Sequence, residues 1–289
     1  MDAVARIERA LNSSLACADL PGSPPLLSAA MHHAVFPRGA RIRPRLALAV
    51  AGACGDDQST ASDAAAAAIE LLHCASLVHD DLPCFDNAEV RRGRPSVHRA
   101  YGEPLAVLAG DALIVLAFQT LATGTIRCPR RLPALLMTVC RAVGVPNGIA
   151  AGQAWECEPK ADLSAYQRAK TGALFAAATV AGAAAAGVEP EPWRILGERL
   201  GEAYQVADDI ADVLSNPDEI GKPIGQDQAL GRPNAVLTMG LSGAMHHLES
   251  LTTEAVDSIP PCPGASMLKA LTLSEVRRLL PRDLSQRAA

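Results

Sequence analysis

Two stretches of this 289-residue chain concentrate carboxylates. In Leu77–His98, Asp80, Asp81 and Asp86 are followed by Arg91, Arg92 and Arg94. In the second stretch Gln205, Asp208, Asp209 and Asp212 are followed by Lys222, Asp227 and Arg232. Clustered acids call for a cation, and the arginines beside them suit an anion. A divalent ion carrying a polyphosphate satisfies both. Magnesium fits best, because it prefers oxygen ligands and is held by a few carboxylates plus substrate phosphates. A diphosphate held this way is a good leaving group. Further cations at Arg41, Arg43 and Arg45 suggest a second phosphate-bearing substrate, so one diphosphate would ionise and the other molecule would attack it.

The elements that must position these groups read as helices. An apolar run, Ala64–Val78, leads into Asp80 and Asp81, and Pro83 makes further helix unfavourable. The acids therefore sit at a helix C-terminus, where the dipole disfavours them by roughly 0.3–1 kcal/mol. Within Thr60–Asp81, Ile69, His73, Ser76 and Asp80 fall on one stripe, with His73 two turns, roughly 10 Å, below Asp80. Taken alone, His73 reads as a hydrogen-bonded core histidine. Trp193–Leu214 is the second key helix: Gly201, Tyr204, Gln205, Asp208 and Asp212 share a stripe, with Asp209 on its flank. Lys170 projects from an otherwise uncharged run, and such a lysine usually has a partner.

Further helices are expected over Met1–Cys17, Leu26–Val35, Pro104–Leu121 (interrupted at Gly110-Asp111), Pro133–Val145, Leu237–Thr252 and Ala265–Leu280; Leu46–Ala53 is an apolar segment, and Ala150–Cys157 carries Gly152-Gln153 and Glu156. No β-hairpin and no β-α-β period is expected. Residues 40–45 read either as a solvated helix start or as an anion site. The chain is 49% hydrophobic but only 3% aromatic, which favours close-packed alanine-rich helices over strands. The expected fold is all-α, a single domain over 1–289 forming one large helical bundle around a central cavity.

A net charge of -5 argues against non-specific nucleic-acid binding. Eight cysteines without a C-x-x-C pair read as reduced thiols of a cytoplasmic protein. No secretory leader is expected at the N-terminus, and the longest uncharged stretch, ending in Gly172–Val188, reads as a core helix rather than a transmembrane segment.

These residues resemble the trans-isoprenyl diphosphate synthases, and most of all bacterial geranylgeranyl diphosphate synthases of carotenoid and bacteriochlorophyll pathways. The likeness spans roughly Arg38 to Ala235. It rests on Asp80-Asp81-x4-Asp86 with Arg91-Arg92-Gly93, on Gly110-Asp111, Lys170-Thr171-Gly172, Gln205-x2-Asp208-Asp209-x2-Asp212 and Gly221-Lys222-Pro223. The resemblance implies that Asp80, Asp81, Asp86, Asp208, Asp209 and Asp212 hold Mg²⁺ and an allylic diphosphate, which Arg91, Lys170 and Lys222 also contact. Thr171 and Gln205 would lie near the allylic cation. Arg43, His73 and Arg92 would bind isopentenyl diphosphate. The working unit would be a homodimer.

Three positions depart from the family pattern. Arg38-Gly39-Ala40 lacks the usual lysine before Arg43, a loss that Arg41 or Arg45 could make good. Glu156 replaces a commoner aspartate. Arg232 stands where many members place a lysine-threonine pair, and can still serve a phosphate bidentately. Ala75 and Ser76, small where an aromatic residue would stop growth at fifteen carbons, point to a twenty-carbon product from farnesyl diphosphate. A farnesyl or longer-chain synthase, a class I terpene cyclase and a non-catalytic partner subunit are the competing readings.

Overall fold

The computed structural model describes residues 2–36, 39–159, 166, 168–214 and 234–279. Their architecture is helical: α1 Ala3–Leu15, α2 Pro25–Val35, α3 Ile42–Ala53, α4 Ser59–Asp80, α5 Val97–Tyr101, α6 Glu103–Gly124, α7 Leu132–Val143 and α8 Ile149–Trp155. After a π-turn at Arg168–Gly172 come α9 Ala173–Ala186, α10 Arg194–Leu214, α11 Ala235–Asp257 and α12 Ala265–Leu279. Their buried residues form one contiguous apolar cluster, from Ile7 in α1 to Val276 in α12.

Periodicity explains the outer helices. In α1, Asp2 caps Val4 N–H at 3.2 Å, and Ile7, Leu11 and Leu15 bury one stripe. The inner helices follow another rule. In α9 every residue from Leu174 to Ala186 is buried, and α4 buries an unbroken run from Ala64 to Leu72. Alanine offers little apolar area, so such helices gain stability through close approach and dispersion contacts. Gly110 is an instance: a Cβ there would collide with the His79 imidazole, so glycine lets α6 lie directly on α4.

Several expectations need correction. The helix of α6 runs through Gly110-Asp111 without interruption, because the small residue is a packing device there rather than a breaker. A short hairpin does exist: β1 Val90–Arg91 pairs antiparallel with β2 Arg94–Pro95. Arg92 and Gly93 form its turn with φ of 54° and 74°, as a type I′ turn requires. An arginine at the first of these positions hid the signal. Among the described residues, three helices, over 59–80, 103–124 and 168–186, are long and apolar enough to cross a membrane by length and composition. The first and third are mostly buried inside the bundle, whereas only 39% of the apolar window of α6 is.

Candidate active site

The C-terminal end of α4 gathers the acids. Asp81 is its C-cap, and the loop that follows folds back so that Asp86 N–H donates to Asp80 C=O at 3.0 Å. Lys170 Nζ lies 3.1 Å from Asp80 Oδ1 and donates to Glu156 Oε1 at 2.6 Å. Glu156 also accepts from Tyr166 Oη at 2.7 Å and from Gln153 Nε2 at 2.9 Å. Burial opposes the charge on Lys170, but Asp80 and Glu156 outweigh it and raise its pKa above the ordinary lysine value. The π-turn carrying Lys170 is a deformation frequent at functional sites.

Carboxylate oxygens of Asp80, Asp86 and Glu156 lie within 4.8 Å of one another. A set of hard oxygen donors at this spacing fits magnesium better than a softer metal. Asp81 is spoken for: it is buried and forked by Arg91, whose Nε donates to both of its oxygens at 3.0 and 3.2 Å. Burial pushes the Asp81 pKa up, and Arg91 opposes that. Arg91 thus holds an aspartate in this structure.

From the π-turn to α10, Thr171 Oγ1 donates to Gln205 Oε1 at 3.3 Å, and within α10 Gln205 Nε2 donates to Asp209 Oδ1 at 3.0 Å. Asp209 is buried, and its Oδ2 accepts from Ala235 N–H at 2.7 Å. A carboxylate at the N-terminus of α11 is favoured by the dipole, which explains why Asp209 faces inward. Asp208 is exposed and Asp212 half-buried. None of these three joins the group formed by Asp80, Asp86 and Glu156. Lys222 and Arg232 lie outside the described residues.

A cationic cluster lies on the α3 side of α4. Arg43 stacks its guanidinium over the rings of Phe175 (4.5 Å) and Tyr204 (5.7 Å), and its Nη1 is 3.5 Å from His73 Nε2. Burial, then Arg43 and Arg92, hold the His73 pKa well below its usual value, so its imidazole is neutral at pH 7. Arg43 Nε and Arg92 Nη1 are buried without a hydrogen-bond partner among the described residues. Two such donors beside a neutral histidine are suited to an anion.

The other arginines of these stretches serve structure. Arg41, buried, is bound by Glu8, Glu70 and the Val35 carbonyl; Arg45 donates to Glu275 at 2.5 Å. Neither is available to replace the lysine missing at Ala40. Arg94 donates to Phe36 C=O at 2.9 Å and tethers the hairpin to the end of α2.

A cavity of about 1000 Å³ opens beside Thr171, Gln205 and Asp209 and extends between Ala142 of α7, Ala176 of α9 and Arg194 of α10. Ala75 and Ser76 do not line it. Ala75 is packed in the core, and Ser76 Oγ donates to His73 C=O at 2.8 Å.

Sequence reasoning missed the part Glu156 plays. Its signal was its place one helical turn after Gln153. It also passed over Glu70, although a lone acid in the apolar run 64–78 needs a partner as much as Lys170 does.

The polyprenyl synthetase family profile matches residues 24–259. The geranylgeranyl diphosphate synthase of Cereibacter sphaeroides is 52% identical over 282 residues, covering 98% of each chain. That of Rhodobacter capsulatus is 56% identical over 263 residues, covering 91% of each. Among solved structures, a geranyltransferase from Helicobacter pylori complexed with magnesium and isoprenyl diphosphate superposes with a TM-score of 0.78 at 29% identity, covering 96% of this chain and 98% of that one. The acidic helix ends, the cationic cluster and the helical bundle thus accompany a match over most of the sequence: this chain belongs to the polyprenyl synthetase family.

Proposed function

We propose that the chain is a magnesium-dependent prenyltransferase that condenses isopentenyl diphosphate with farnesyl diphosphate to give geranylgeranyl diphosphate. The observation that carries this reading is the placement of two oppositely charged sites along α4. One is the group Asp80, Asp86 and Glu156; the other is Arg43, His73 and Arg92. Two diphosphates bound there would face each other across one helix.

Asp80 and Asp86, together with Asp208 and Asp212 of α10, would hold the metal. Bound magnesium supplies Lewis-acid neutralisation of diphosphate charge. Lys170 adds a fixed positive charge beside the leaving group. When the allylic C–O bond breaks, the oxygens of Thr171 and Gln205 offer lone pairs to the developing cation. Arg43, neutral His73 and Arg92 orient isopentenyl diphosphate so that its double bond attacks that carbon. Proton loss to the departing pyrophosphate completes the product, so no side-chain base is required.

The names of the two bacterial relatives support growth past fifteen carbons. The working unit in this reading is a cytoplasmic homodimer formed through α6, whose Val107, Leu108 and Val115 are exposed. Free thiols at all eight cysteines agree with a reducing compartment.

The test is incorporation of labelled isopentenyl diphosphate by purified protein with magnesium and farnesyl diphosphate, with products separated by chain length. A twenty-carbon product abolished by EDTA supports the whole reading. Longer products keep the chemistry and overturn the length. No incorporation with any allylic starter overturns the enzyme reading in favour of a non-catalytic partner subunit.

A further inference from the structure

Buried charge is concentrated where α1, the segment before α3, α4 and the hairpin meet. Arg41, 2% exposed, takes a left-handed backbone (φ 51°) just ahead of α3. Its Nε donates to Glu8 Oε1 at 2.9 Å, its Nη2 to Val35 C=O at 2.9 Å and its Nη1 to Glu70 Oε1 at 2.5 Å. The same Glu70 oxygen lies 3.8 Å from Arg92 Nη2. Arg92 is left-handed too (φ 54°), and Gly39 lies flat against its guanidinium, where a Cβ would come within 2.8 Å of Cζ. One face of Arg92 is therefore held by Glu70 and Gly39, while its Nη1 is left without a partner among the described residues.

We infer that Glu8, Arg41 and Glu70 form a positioning relay that fixes Arg92 for the isopentenyl diphosphate pocket, and that the N-terminal helix α1 is thereby part of the machinery of that pocket. The inference rests on the proposed assignment of Arg43, His73 and Arg92 to this substrate. Glu70 acts directly, orienting the guanidinium. Glu8 acts through Arg41, holding its Nε so that Nη1 meets Glu70 in one orientation. An arginine already fixed when the diphosphate arrives loses less rotamer freedom on binding. That matters more here than in a pocket with a lysine at position 40, because Arg92 and Arg43 must hold the anion without it.

Steady-state kinetics of Glu8→Gln, Glu70→Gln and Arg92→Gln, with each substrate varied in turn, test the relay. The expected result is a KM for isopentenyl diphosphate raised about tenfold by Glu70→Gln and about threefold by Glu8→Gln, with kcat and the allylic KM within about twofold of the parent. Glu8→Asp should recover part of the loss. Should Glu70→Gln fail to fold, Glu8→Gln, at a partly exposed site, carries the test. An unchanged KM in Glu8→Gln, or a rise shared equally by both substrates, overturns the relay. An unchanged KM in Arg92→Gln instead overturns the substrate assignment beneath it.

Discussion

Lys170 and Asp80, 90 positions apart in sequence, meet at 3.1 Å. A helix end that should repel negative charge thus acquires a cation from a distant π-turn, beside the carboxylates of Asp86 and Glu156. Asp80→Asn is expected to lower turnover at least about 100-fold, since the carboxylate would hold charge in the transition state. Thermal unfolding of the same variant should move only a few degrees, because relief of crowding among the acids offsets the lost ion pair. A variant with parental turnover would remove Asp80 from the metal site.

Glu156 joins the same group while accepting from Lys170, Tyr166 and Gln153. Glu156→Gln keeps the shape and removes the charge. Magnesium affinity, measured by calorimetry with pyrophosphate present, is expected to fall about 10- to 100-fold, the usual effect of losing a group that orients metal ligands. Equal affinity in the two proteins would confine Glu156 to a structural role.

The depressed pKa of His73 makes a pH prediction with a definite sign. Below the unfolded value near 6.5 the unfolded chain takes up a proton that the native state refuses. Stability is therefore fully present above that pH and is lost as pH falls toward the lower native pKa. Between about pH 7.5 and pH 5.5 the parent Tm should fall more than that of His73→Gln. Parallel falls would mean that His73 titrates normally.

Much of this was legible in the sequence. Helix periodicity located α4 and α10 and put His73, Ser76 and Asp80 on one stripe, because a 3.6-residue repeat is a local property. The pairing of Asp81 with Arg91, the inward turn of Asp209 onto α11 and the capture of Arg41 by Glu8 were not legible. Each depends on which of several equivalent charges a tertiary contact selects. The hairpin at 90–95 escaped notice because an arginine, rather than Asn or Gly, occupies the first left-handed position of its turn.

Gly110 supplies a stability test. Ala is ordinarily the better helix former by about 1 kcal/mol, but here its methyl group would press on His79. Gly110→Ala is expected to destabilise by about 1–3 kcal/mol, read as a lower denaturation midpoint. A stabilised variant would show that the His79 ring gives way to the added methyl group.

The exposed face of α6 predicts assembly. Val115→Glu, at a residue 65% exposed, should convert a dimer to a monomer in light scattering while leaving the helical circular dichroism signal intact. A parent protein that is already monomeric would overturn the dimer proposal.

The alanine walls of α4 and α9 carry an evolutionary consequence. A wall of leucines can be enlarged or trimmed by single substitutions, but a wall of alanines and glycine has almost nothing left to trim. Nearly every mutation at the nine alanine and glycine positions of Leu174–Ala186 adds atoms to a space already filled, and overpacking is itself destabilising. Drift in this lineage should therefore run one way at these positions, toward narrower interiors or none, and gains of internal volume would have to come from whole-helix shifts rather than from side chains.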